Sequence, residues 1–193
     1  DEVLVSWYFA EKEGFVWAIT KQGAPQFHRI GIGRAQMAQT VATLRKSLDP
    51  GVATIDDIPA FNLKLAHELY QHLLAPVQTA WQDKRVMLAV PHGELGQLPL
   101  SVLVAENPSF TPKAKGSDFV EYRQASWLAK KIAVAQLPSV TALAALRNLP
   151  TPSANRRAFI GFGDPFFSNV QAKQADNQAA AQAAKATTTA LAT

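Results

Sequence analysis

The chain has 193 residues, 48% of them hydrophobic and 18% charged, a balance that supports a folded domain with a sizeable core and excludes disorder of the whole. Nineteen basic against fifteen acidic residues leave a net charge of +4, too small and too scattered for a nucleic-acid surface. No cysteine occurs, which excludes a disulfide framework and a thiolate metal site, and no apolar run reaches the ~18 residues needed to span a bilayer. The expected partners therefore include neither nucleic acid nor membrane, and cysteine usage does not separate cytoplasm from periplasm. The chain opens at Asp1 without a methionine or a signal-like region and reads as an excised segment.

The first thirty residues alternate. Val3 to Phe9, Phe15 to Thr20 and Gln26 to Ile30 are rich in β-branched and aromatic residues and are separated by turns at Gly14 and Gly23, the pattern of an antiparallel meander. Its aromatics read as core and cross-strand packing rather than a binding surface. Gly31-Ile32-Gly33 then leads into a helix, Arg34 to Leu48, with Met37, Val41, Leu44 and Leu48 at helical spacing and a stop at Pro50-Gly51. A dinucleotide cradle is rejected here, because Gln36 stands at the third glycine position and the preceding strand belongs to a meander. A second helix follows Pro59, capped by Asn62, with Leu63, Ala66, Leu69, Tyr70, Leu73 and Leu74 on one stripe, and Pro76 ends or kinks it.

Three apolar runs, Val86 to Val90, Ile132 to Leu137 and Ala158 to Phe162, alternate with helical segments, which is the signature of an α/β fold with buried parallel strands. Each follows a basic pair, Lys84-Arg85, Lys130-Lys131 or Arg156-Arg157, so parallel strands would gather the pairs at the amino edge of the sheet. Because sites in such sheets form at the opposite edge, the pairs read as charges that keep apolar strands soluble rather than as a docking patch. Pro99 to Val104 predicts a short helix, Pro108 to Gly116 a polar loop, and Phe119 to Leu128 reads equally as strand or irregular backbone and is left unassigned. Ser139 is placed to cap a helix over Val140 to Leu149, with Val140, Leu143, Ala144 and Leu146 facing inward. Ser139 as a nucleophile is set aside, since no Gly-x-Ser-x-Gly elbow or paired base surrounds it. From Asn169 onward ten of twenty-five residues are Ala and no apolar stripe forms, so 169–193 reads as a linker or inserted loop following a domain over 1–168.

The four histidines are His28, His67, His72 and His92. His67 and His72 lie on one helix but project about 140° apart at ~100° per residue, so they cannot share an ion, and His28 has no carboxylate nearby in sequence. A surface position is expected for all three, and neither a metal nor a cofactor is implied. His92 differs, because it belongs to the turn Pro91-His92-Gly93-Glu94 at the carboxyl end of the Val86 to Val90 strand.

That turn, with Leu95, Leu98, Pro99 and Leu100 behind it, resembles the strand-Pro-x-Gly-x-Leu-x-x-Leu-Pro segment of the CHAT domain, a mostly bacterial caspase-like cysteine peptidase domain often attached to tetratricopeptide repeats. The opening meander, the Pro138-Ser139 helix and Gly163-Asp164-Pro165 occur in the family's order, so the resemblance runs from about Val3 to Pro165. It implies an α/β, caspase-like sheet flanked by helices, an incomplete domain, and a protein or peptide substrate in the bacterial cytoplasm or periplasm. The family's catalytic His-x-Ala-x-His-Gly and Ser-x-Cys motifs do not occur. The chain is therefore expected to be the amino-terminal, non-catalytic part of the domain, inactive alone, with the remaining catalytic half and tetratricopeptide repeats as partners. A pseudo-peptidase or scaffold module acting through protein contacts is the competing expectation. By analogy with caspase-like folds, the candidate cleft-lining residues are His92, Gly93, Glu94 and Asp164, none of them catalytic.

Overall fold

The computed structural model describes residues 1–52, 54, 57–112, 119–150, 170–171, 173–174 and 177. The chain divides into two units, Asp1–Leu149 and Pro150–Thr193. In the second, Val170, Gln171, Lys173, Gln174 and Asn177 are helical. The expected strand at 158–162, the Arg156-Arg157 pair and Asp164 lie outside the described residues.

The first unit is built on a five-stranded mixed sheet in the order β3-β2-β1-β4-β5. The meander forms as its alternation predicts: β1 (Glu2–Phe9) and β2 (Gly14–Thr20) pair antiparallel, as do β2 and β3 (Gln26–Ile30). On its other side β1 pairs in parallel with β4 (Val86–Val90), which pairs in parallel with β5 (Ala133–Gln136). Period-two alternation sends Val3, Val5, Trp7 and Phe9 of β1 to one face, joined there by Val16, Ala18, Met87 and Ala89, and all are buried.

Helices α1 (Arg34–Leu48), α2 (Leu63–Leu73) and the short α3 (Gln78–Trp81) contribute to the same core. The α2 stripe is buried throughout, whereas Leu48, the last apolar residue of α1, is exposed as that helix ends. Asn62 caps α2 by accepting the Leu65 N–H at 3.0 Å. Gly33 is needed at the start of α1 because a Cβ there would stand 2.2 Å from the Glu11 carbonyl oxygen, where the Arg34 N–H bonds Ala10 O across to the β1–β2 turn. The glycine serves a close backbone approach and no phosphate site.

Pro76 stops α2 and leaves its last carbonyls without helical donors. Two tryptophans reach the last carbonyls: Trp7 Nε1 donates to Leu73 O at 3.1 Å, and Trp81 Nε1 donates at 3.0 Å to Leu74 O, which also accepts the Val77 N–H at 3.2 Å. The break encoded by one proline is thus closed by side chains 66 residues away in one direction and seven in the other.

Two expectations are corrected. The Ile132 to Leu137 run does form a parallel strand, but Ala133, Ala135 and Gln136 are exposed, because among the described residues β5 is the last strand of the sheet. Helix α4 (Val140–Arg147) starts at Ser139 as predicted, with Ser139 Oγ accepting the Ala142 N–H at 3.0 Å. None of its apolar residues is buried, and Leu146 is 58% exposed; α4 is tied to the sheet by the pairing of Arg147 with Glu2 of β1. The unassigned stretch after Phe119 proves to be a 3₁₀ turn over Val120–Gln124, followed by a bridge between Val104 and Trp127.

The basic pairs ahead of β4 and β5 do stand at one edge, but acidic groups are interspersed with them. Lys131 pairs with Glu106 at 2.8 Å, Lys130 Nζ donates to the Arg123 and Ala125 carbonyls, and Glu2 of β1 pairs with Arg147. Glu106 is held below the usual carboxylate range first by its hydrogen bond from Lys131.

Replacing Trp7 with Phe keeps the ring in the core but leaves the Leu73 carbonyl buried without a donor. We predict a loss of roughly 1–3 kcal/mol in urea unfolding. Trp81→Phe should cost less, because the Leu74 carbonyl keeps the Val77 N–H as a donor.

Candidate functional site

The apolar residues of β4 carry the chain to the carboxyl edge of the parallel strands, where Pro91 and His92 leave the sheet and a 3₁₀ turn runs over Gly93–Gln97. Gly93 takes φ +60, a left-handed conformation that favours glycine, and a Cβ there would meet nothing within 4 Å. Its requirement is purely conformational. Leu95, Leu98, Leu100 and Leu103 are fully buried, so the leucines of this segment anchor the turn to the core, and Arg45 Nη1 of α1 holds it from outside through Gln97 O at 3.1 Å.

The neighbouring strand ends beside this turn. Leu137 N–H bonds Ala89 O at 2.8 Å, extending the parallel pairing, and Gln136 Oε1 accepts the Leu100 N–H at 2.8 Å. Between the two strand ends lies an open cleft of ≈ 440 Å³ lined by Pro91, Gly93, Gly96, Gln136, Leu137 and Pro138. It contains backbone groups, two prolines and one amide side chain that already accepts a hydrogen bond. None of its lining side chains ionises, so the cleft can receive and orient an extended chain but has no nucleophile, acid or base of its own.

Among the residues singled out from sequence, Gly93 lies in this lining, while His92 turns away from it. His92 Nδ1 accepts the Phe9 N–H at 3.2 Å, and its ring packs on Tyr8 with centroids 4.6 Å apart. That bond places the proton of the neutral ring on Nε2 and makes His92 a clasp between the ends of β1 and β4. On the far side, Arg34 Nη2 donates to Phe9 O at 3.3 Å. Glu94 is half-buried outside the lining, and Asp164 lies outside the described residues.

Sequence reasoning missed Gln136, Leu137 and Pro138. The available signal was a polar residue ending an apolar run just before Leu-Pro, which marks a strand end as Pro91 does. His67 also differs from the surface position expected of it, since its Nδ1 lies 2.9 Å from Val104 O and its ring stacks near Tyr70. Burial, followed by the Glu106 charge, raises the Tyr70 hydroxyl above its ordinary value. His28 and His72 are exposed as expected, and no group of three potential metal ligands occurs among the described residues.

A mixed sheet with helices packed on it, and a cleft at the carboxyl ends of its parallel strands, defines an α/β fold consistent with a caspase-like sheet. A scan against protein-family models matches the CHAT domain over residues 63–193, and the chain belongs to that family. The match opens at the first residue of α2, so the meander and α1 precede it, although β1 lies inside the sheet next to β4. Searches of the curated proteins and of the solved structures find no match.

Substituting Gly93 by Val forces a β-branched residue into a left-handed conformation and should cost about 1–3 kcal/mol through backbone strain. His92→Ala should cost roughly 1 kcal/mol, because it leaves the half-buried Phe9 N–H unbonded. Urea melts of both variants check the two values, and a His92→Ala melt identical to wild type would show that the clasp contributes nothing.

Proposed function

We propose that this chain is the non-catalytic amino-terminal part of a CHAT-like cysteine endopeptidase domain, supplying sheet strands and the loops that border a peptide-binding cleft. The observation that carries this reading is the cleft itself: it sits where the parallel strands β4 and β5 end, and its lining offers shape and backbone groups without a reactive side chain. Thiol proteolysis needs a thiolate to attack the peptide carbonyl and a base to activate it. The chain has no cysteine, and His92 Nδ1 is committed to the Phe9 amide. In this reading the nucleophile and its base belong to the remaining catalytic half of the domain, and Gly93, Gly96 and Leu137 contact the substrate backbone beside them. The substrate is a protein or peptide, and tetratricopeptide repeats are the expected accompanying module.

The chain alone should cleave no peptide and take up no iodoacetamide at neutral pH, because no thiolate is available. The sharper test uses the protein extended through the rest of its domain, with a photo-crosslinking residue at Gly96 or at Leu137. Unfolded casein fragments should be captured at both positions and not at Thr43 on α1, and the extended protein should hydrolyse casein. Failure of both cleft positions to capture casein while hydrolysis proceeds would place the substrate elsewhere. An extended protein that lacks a reactive cysteine and hydrolyses nothing would replace this reading with that of a scaffold module.

A further inference from the structure

The lining of the carboxyl-edge cleft is poor in hydrogen-bond donors, and its residue types explain why. Pro91 and Pro138 carry no N–H, and the Leu137 N–H is already bonded to Ala89 O at 2.8 Å. Gly93, Gly96 and Leu137 bring no polar side-chain atom. Gln136 is therefore the single lining residue whose side chain can donate.

Its amide is held in one orientation. Gln136 ends β5 in register with Ala89 of β4, and its Oε1 accepts the Leu100 N–H at 2.8 Å. A backbone N–H can only donate, so the atom facing Leu100 must be the oxygen, and the partner itself settles which end of the amide is which. Leu100 is fully buried among the leucines that anchor the turn, so the contact that pins the amide rests on the core. Nε2 brings two N–H donors and finds no acceptor among the described residues. Gln136 is exposed, which leaves those donors open to a ligand in the cleft. Fixing the side chain in advance also removes rotamer entropy that a free glutamine would lose on binding.

We propose that Gln136 anchors substrate in this cleft, its Nε2 donating to a main-chain carbonyl of a bound extended peptide; the proposal rests on the reading of the cleft as a peptide site. The anchor is one-sided in its chemistry. Because Oε1 is taken by Leu100, the side chain offers donors, and the group it receives is an acceptor. An extended peptide presents such a carbonyl at every residue. No lining side chain ionises, so the anchor reads the peptide backbone and selects neither acidic nor basic side chains.

The test uses the protein extended through the rest of its domain, with the photo-crosslinking residue at Gly96, and follows capture of unfolded casein fragments as their concentration is raised. High salt screens long-range charge effects. Gln136→Glu keeps an oxygen for the Leu100 N–H and removes both donors. It should retain the wild-type melting temperature while raising the half-saturating casein concentration about tenfold, through the lost hydrogen bond and the repulsion between carboxylate and carbonyl. Gln136→Met removes donor and acceptor together, so it should weaken capture by a smaller factor and also lower the melting temperature, because the Leu100 N–H loses its partner. Wild-type half-saturation in Gln136→Glu, with or without weakening in Gln136→Met, would overturn the proposal and leave Gln136 as a support for Leu100 alone. The cleft reading would survive that result, since wild-type capture at Gly96 is measured in the same series. Absence of capture by the wild-type protein would instead defeat the cleft reading, and the anchor with it.

Discussion

The parallel pairing of β1 with β4 is the constraint on which the rest of the structure depends. It joins residues from the start of the chain to residues more than eighty positions later, with Val3 beside Met87 and Val5 beside Ala89 in one buried patch. Everything between them, the rest of the meander and three helices, is an excursion that must return for the pair to form. Such a pair carries a large loop-closure cost before any contact offsets it. Compensation comes from fixtures at both ends: the Arg85 N–H bonds Asp1 O at the amino edge, and His92 accepts the Phe9 N–H at the carboxyl edge.

This pairing also gives the family membership a structural meaning. The matched residues begin at α2, yet their first strand, β4, has β1 as its neighbour on one side. The meander is therefore integral to the sheet that carries the cleft, since without β1 one edge of β4 would be open. Its second face is unusual for an antiparallel ribbon. Phe15, Trp17 and Phe27 stack across β2 and β3 with centroids 5.4 to 6.0 Å apart, where such sheets usually turn polar residues to water.

Much of this was legible in the sequence because it depends on local rules. Alternation in Val3 to Phe9, the α2 stripe, and the Asn62 and Ser139 caps follow from periodicity and short-range hydrogen bonding, and each forms where it was read. What was not legible depends on partners distant in sequence. His92 was read as a cleft-lining residue because nothing local reveals that its ring reaches the Phe9 amide, 83 positions away. Gln136 holds Leu100 across 36 positions, and His67 holds Val104 across 37. The inward face assigned to α4 failed for a related reason: an apolar helix stripe shows which side prefers burial, not whether a surface is close enough to receive it.

Native-state hydrogen exchange tests the central pairing most directly. If β1 and β4 form one cooperative unit, amides of Val5, Trp7, Met87 and Ala89 should be the slowest in the chain, should share one opening free energy equal to that of global unfolding, and should lose protection together as urea is added. Amides of α4 should exchange by smaller openings well before them. Two separate opening free energies, with the meander released while β4 stays protected, would contradict the account, because β1 would then be an accessory to the sheet rather than its axis.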